Sequence, residues 1–228
     1  MRLFSYCLTC DSGAAPNPFW ELCTLAICKP VIRRVANIGD WVLGFGSTQS
    51  PIGDRDIGDC VVYAMKVTDK MTLQEYDKFC RVHCLHKIPK WDSEIFKYRV
   101  GDCIYDYSQG EQPVLRPSVH DNTNRKGDLS GVSVLMSRHF YYFGDKPIDL
   151  PAELDGLKLS SSRNGQKSTA NDPYKDTFVN WLDNLGYTPN QLHGEPQDKK
   201  KFTLERDISS CRPPCKRQNK KINKRSNC

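Results

Sequence analysis

Alternation and short apolar clusters divide this chain into several brief strands with few helices between them. Residues Arg2 to Cys7 alternate polar and apolar side chains and predict a first strand. A turn-rich run, Asp11 to Pro18, follows. The mostly apolar run Phe19 to Cys28 suits either a short helix or a buried strand, and Pro30 ends it. Gly39 to Gly46 predicts a turn entering a strand, and residues 47–59 a loop. Cys60 to Val67 is apolar, β-branched and bounded by turn residues, so a strand is expected there. Thr72-Leu73-Gln74-Glu75 is a capping box and predicts a helix from Thr72 to about Cys80.

Beyond Lys87 the pattern is less regular. Tyr98, Val100, Ile104, Tyr105 and Tyr107 give β character around Gly101-Asp102. Residues 108–131 read as a long polar loop, a feature that in compact domains often carries function. Val132 to Met136 and Phe140 to Gly144 predict two more strands. Residues 174–184 place Phe178, Trp181 and Leu182 on one face of an amphipathic helix. Helices and strands do not alternate regularly. The expected fold is therefore α+β, built on a small curved mixed β-sheet or barrel with a few peripheral helices, rather than a doubly wound parallel sheet.

Length and charge refine this picture. The chain has 228 residues, which fits one domain plus a tail. Residues 199–228 hold eleven Lys/Arg and two acids, a net +9, out of +6 for the whole chain. The body, residues 1–198, is left at −3, and the basic tail is expected to be disordered. Such a tail binds polyanions without choosing among them, or acts as a solubilising extension. No run of 18 apolar residues occurs, so no transmembrane helix and no membrane partner are expected. The start, Met1 to Cys7, lacks the apolar stretch of a secretory signal. Eleven cysteines, an odd count, then suggest free thiols in a reducing cytoplasm. Cys23, Cys28, Cys60 and Cys103 lie among apolar residues and read as small buried hydrophobes.

Several chemistries lack their motif. There is no Gly-x4-Gly-Lys-Ser/Thr loop, no Gly-x-Gly-x-x-Gly and no Gly-x-Ser-x-Gly elbow, so no cofactor is expected. His120 follows Ser118 in the long polar loop and is the natural general acid or base, with Asp102 or Asp121 to orient it. Cys80, His83, Cys84 and His86 contain metal-ligand types, three of them on one helical face. Structural zinc normally uses two separated ligand pairs, Cys7 and Cys10 being one candidate second pair, and no metal is expected. Lys29, Arg33 and Arg34 form a basic cluster suited to phosphate, the two arginines on opposite faces if the segment is extended.

The runs Ala15-Pro16-Asn17-Pro18-Phe19, Cys23-Thr24-Leu25-Ala26 and Cys28-Lys29-Pro30-Val31-Ile32-Arg33-Arg34 resemble the opening of the nucleotide-modification-associated domain family, second type. Ile38-Gly39-Asp40-Trp41-Val42, Val62 to Val67, Ser118 with His120, and Val134 to Ser137 keep the same order. The resemblance spans about residues 1–160 and is densest before residue 70. It implies a place in bacterial or phage systems that alter or sense modified bases. It supplies no catalytic mechanism. The succession of a Gly-Asp turn and apolar strands is also similar to PUA, ASCH and EVE barrels, which bind RNA or modified bases, a likeness of fold rather than function.

Two functions follow as expectations. The first is a binding module for a nucleotide or modified base in nucleic acid. Lys29, Arg33 and Arg34 would hold phosphate, while Trp41, Ser47, Tyr63 and Lys66 would line a base pocket. Asn17, Phe19 and Thr24 join them as nucleotide-binding candidates from the resembling runs. The alternative is an enzyme of nucleotide or base modification using His120 as acid or base with Asp102. Convergence of His120, Asp102 and the two arginines on one concave pocket would favour the enzyme; a remote His120 with an aromatic cleft meeting Arg33 would favour the binding module.

Overall fold

The computed structural model describes residues 1–159, 166–167 and 169–202. The first expected strand forms as β1 (Leu3–Cys7). The ambiguous apolar run becomes a strand, β2 (Cys23–Leu25). Pro30 opens rather than only ends an element: it starts α1 (Pro30–Val35), at a position where its missing N–H costs nothing. Arg33 and Arg34, expected on an extended segment, therefore point about 100° apart on a helix. Next come β3 (Trp41–Phe45), β4 (Val61–Lys66) and β5 (Asp69–Thr72).

The expected capping box starts α2 (Leu73–His83), which runs about a turn past Cys80. The Glu75 amide donates to Thr72 Oγ1 at 3.2 Å, and the Thr72 amide donates to the Glu75 carboxylate at 2.8 Å. A single-turn helix α3 (Phe96–Arg99) and a hairpin of β6 (Tyr105–Asp106) and β7 (Val114–Leu115) follow. The expected polar loop 108–131 contains a helix, α4 (Asn122–Leu129). Its sequence Asn-Thr-Asn-Arg-Lys-Gly-Asp-Leu has no apolar stripe, because the face it buries is polar, through Asn124 and Asp128. The chain continues through β8 (Ser133–Ser137), β9 (Phe140–Tyr142), β10 (Gln166–Lys167), α5 (Lys175–Asp183) and β11 (Gln191–Leu192). The tail expected to be disordered from residue 199 opens with a 3-10 turn, Lys199–Phe202; residues 203–228 lie outside the described ones.

The fold is α+β. Six strands form a mixed sheet in the order β10-β1-β3-β4-β9-β11, and three form an antiparallel sheet, β2-β8-β5. Of the two forms expected, the curved sheet is the one that appears; the described strands close no barrel. Only two residues separate β4 from β5, and two separate β8 from β9. Both crossings are bridged: the Lys66 amide donates to His139 O and the Thr68 amide to Met136 O, each at 2.9 Å. The two sheets are thus halves of one bent ribbon. No helix among the described residues is long and apolar enough to cross a membrane.

Strand alternation sorts the core into layers. Phe4, Tyr6, Val42, Met65 and Phe140 face the small sheet, where Leu25 and Leu135 meet them. Leu3, Trp41, Leu43 and Tyr141 face the other way, under Leu154, Phe178 and Leu182. Val134 and Met136, on the far face of β8, pack with Tyr76 and Cys80 of α2.

One buried polar cluster pins the β2 region to α2. Fully buried Lys87 donates through Nζ to Asn17 O (3.0 Å), Asn17 Oδ1 (2.6 Å), Leu22 O (2.6 Å) and Thr24 Oγ1 (3.2 Å). Thr24 and Tyr76 hydroxyls donate to Asp102 at 2.6 and 2.8 Å. Burial pulls the Lys87 pKa down and pushes that of Asp102 up, and each charge opposes the shift of the other. Lys87→Met would leave four oxygens and a carboxylate without their cation. Its expected cost is about 3–5 kcal/mol in denaturant unfolding. The double variant Lys87→Met with Asp102→Asn should recover part of that loss.

Candidate active site

The turn from β2 into α1 places Cys28 and Lys29 in consecutive left-handed conformations, φ 59° and 38°. Non-glycine residues adopt such backbone only where their surroundings enforce it. Here both sides of Cys28 are held. Its amide donates to Asp128 Oδ1 at 2.8 Å, and its carbonyl accepts from Arg33 Nε at 2.7 Å. The fully buried Arg33 guanidinium also donates to Ser133 O at 2.9 Å and to Asp128 O. Gly131 makes this possible, since a Cβ there would overlap the guanidinium. One arginine thus ties together the Cys28 turn, the end of α4 and the start of β8.

His120 arrives just before α4, and Asp128 lies near its last turn. His120 Nδ1 lies 2.6 Å from Asp128 Oδ2, and His120 Nε2 lies 3.4 Å from Cys28 Sγ. Tyr105 Oη donates to the same Asp128 Oδ2 at 3.0 Å. The three side chains form a line: carboxylate, imidazole, thiol. His120 and Asp128 are buried, while Cys28 is half-buried. Burial alone would lower the His120 pKa; its bonds to Asp128 and Cys28 outweigh that and push it up to about 10. Burial would raise the Asp128 pKa, but its bonds with His120, the Cys28 amide and Tyr105 hold it below the usual carboxylate range. The imidazole is therefore a cation at neutral pH, with Nε2 3.4 Å from the Cys28 sulfur.

This line forms one wall of a cleft of about 400 Å³. Tyr6, Leu8, Ile27 and Val119 supply apolar lining, and Lys29 and Asn124 polar lining. Lys29 Nζ donates to Cys7 O at 3.0 Å and lies 4.5 Å from the centre of the Tyr6 ring. Burial lowers its pKa, and the Cys28 and Cys7 sulfurs act the other way. A second hollow, lined by Trp91, Arg116 and Arg125, reaches His120 from the α4 side.

Cys28, His120 and Asp128 also offer donor atoms within 4.8 Å of one another, as a metal site would. Their bonding argues for a relay instead. Asp128 Oδ1 is taken by the Cys28 amide, and Oδ2 by His120 and Tyr105. A cation held by all three would have to displace the His120 bond to Asp128 or to Cys28.

The residues expected from sequence scatter over several places. Lys29 and His120 meet in the cleft, and Arg33 braces it from beneath without reaching it. Asn17, Thr24 and Asp102 belong to the Lys87 cluster, so Asp102 does not orient His120. Asp121 caps α4 by accepting from the Thr123 amide at 2.8 Å. Trp41 packs edge-on to Phe178 in the core, Phe19 meets Phe96, and the Tyr63 hydroxyl bonds that of Tyr6 at 2.7 Å. Ser47 is buried and accepts from the Gln49 amide at 3.2 Å; half-buried Lys66 pairs opposite Trp41; exposed Arg34 donates to Ser130 O at 2.6 Å. Of the zinc-like set, Cys80 and Cys84 are buried, His83 packs on Phe79 and His86 on Trp20. Sequence reasoning missed Cys28 and Asp128. The Cys-Lys-Pro run was visible, but nothing local pairs Cys28 with a histidine 92 residues away.

The family model for nucleotide modification associated domain 2 matches residues 1–203. No curated protein and no solved structure matches the chain.

The raised His120 pKa ties folding stability to pH. The folded protein holds this proton more tightly than the unfolded chain, whose histidine titrates near 6.5. The resulting stabilisation is complete below pH 6.5 and fades as the pH climbs to about 10. The stability difference between wild type and His120→Gln, from denaturant unfolding, should shrink across that window.

Proposed function

The chain belongs to the nucleotide modification associated domain 2 family, and on that premise we propose that it is a cysteine-dependent acyl-transfer enzyme acting on nucleotides or nucleic acid. The observation that carries this reading is the aligned Cys28, His120 and Asp128 on the wall of a cleft. A nucleophile bonded to an imidazole, itself oriented by a buried carboxylate, is the arrangement that nucleophilic catalysis requires. The strained backbone at Cys28 and the cation beside its sulfur point the same way. A binding module draws support from Lys29 in the cleft, but its expected stacking residue, Trp41, is committed to the core.

In this mechanism the Cys28 thiolate attacks a substrate carbonyl carbon. A carbon–sulfur bond forms, and the carbonyl π pair moves onto oxygen. As that pair returns, the leaving group departs with the proton from His120 Nε2, leaving a thioester on Cys28. Water, or a hydroxyl or amine of a nucleotide, then attacks the thioester. Imidazole Nε2 takes its proton, and Cys28 leaves as thiolate. Asp128 holds the ring in register throughout and stabilises its charged form.

p-Nitrophenyl acetate tests this without knowledge of the natural donor. Mass spectrometry is expected to find an acetyl adduct on Cys28 and none in Cys28→Ala. His120→Ala should slow acylation by about 10²–10⁴-fold, and Asp128→Asn should slow it too, with circular dichroism confirming folding. Acylation that persists unchanged in Cys28→Ala would overturn the proposal.

A further inference from the structure

Among the described residues the cleft holds one cation that no carboxylate pairs. Its lining includes Lys29, His120 and Asp128, with the Cys28 sulfur beside them. Asp128 accepts from three donors, and the His120 imidazolium is paired with it. Lys29 is different. Its ammonium has the neutral Cys7 carbonyl and the Tyr6 ring as neighbours, and among the described residues it forms no ion pair. It is half-buried, so water screens it less than a surface lysine. It also follows Cys28 directly in the chain, on the same strained turn. An unpaired cation in a partly apolar enclosure is complementary to an anion on the ligand.

Resting on the triad reading, we infer that Lys29 is a specificity-determining residue that selects substrates bearing an anionic group, a carboxylate or a phosphate, close to the carbon attacked by Cys28. The anion would complete the charge compensation that the protein leaves open at Lys29. Leu8, Ile27 and Val119 would take the uncharged part of the same ligand. The basic tail is a separate matter, because all but three of its basic residues lie outside the described ones and such a charge run attracts polyanions without discrimination.

Alkylation of Cys28 in the full-length protein tests this directly, with mass spectrometry reporting the modified residue. Iodoacetate and iodoacetamide share their reactive carbon and differ in charge. Relative to the same ratio for free glutathione, the iodoacetate-to-iodoacetamide rate ratio at Cys28 should be raised about tenfold or more. Added salt should reduce the preference. Lys29→Gln should return the ratio to that of glutathione, with circular dichroism confirming that the variant is folded. Lys29→Arg should retain it. Slowing of the iodoacetamide reaction by inorganic phosphate assigns the anion to a phosphate, and slowing by acetate alone assigns it to a carboxylate. Fast reaction with both reagents and no charge preference would overturn the role of Lys29 alone. Reaction no faster than glutathione with either reagent would remove the triad reading as well.

Discussion

A guanidinium buried among backbone carbonyls is the constraint on which the site depends. Arg33 donates to the carbonyls of Cys28, Asp128 and Ser133, which belong to three separate stretches of chain. Such burial is costly for a charge unless its donors are satisfied in fixed geometry. A planar fork does this where a lysine ammonium would not. Once Arg33 is seated, the position of Cys28 relative to α4 is largely set. Asp128 completes the frame from the other side by accepting the Cys28 amide while it orients His120. The same carboxylate therefore shapes the Cys28 turn and tunes the imidazole.

The fold provides the platform for this frame. β2 and β8 pair directly, with Cys23 opposite Ser137 and Leu25 opposite Leu135. The turn after β2 and the turn before β8 are thus held near each other by a ladder, and the triad spans the gap between them. Below it, Lys87 fixes Asn17, Leu22 and Thr24 with four contacts. In both clusters the buried polar groups are paired by hydrogen bonds. Buried polar networks of this kind are informative because each unsatisfied member would carry a penalty.

Charge has a corresponding division. The body of the chain is slightly acidic and the tail strongly basic, so a formal value of +6 describes neither. In the cleft one ammonium, that of Lys29, stands without a carboxylate among the described residues. Local placement, rather than net charge, sets what that cleft favours.

Much of the framework was legible in the sequence. The strands β1, β3, β4 and β8, helix α2 with its capping box and helix α5 follow from periodicity and turn chemistry, which are local properties. Helix α4 was not legible, because a helix that buries Asn124 and Asp128 shows no apolar stripe. The sequence pointed to His120 and Lys29 as chemical groups, and its runs pointed to the family. It read Cys28 among small buried hydrophobes and gave His120 Asp102 or Asp121 as its partner. Tertiary structure decided those points. Cys28 and His120 are 92 residues apart, and only the pairing of β2 with β8 and the Arg33 clamp bring them within 3.4 Å. Residue type by itself determined which groups could react; long-range packing determined which of them meet, because contact between distant segments is a property of the whole fold.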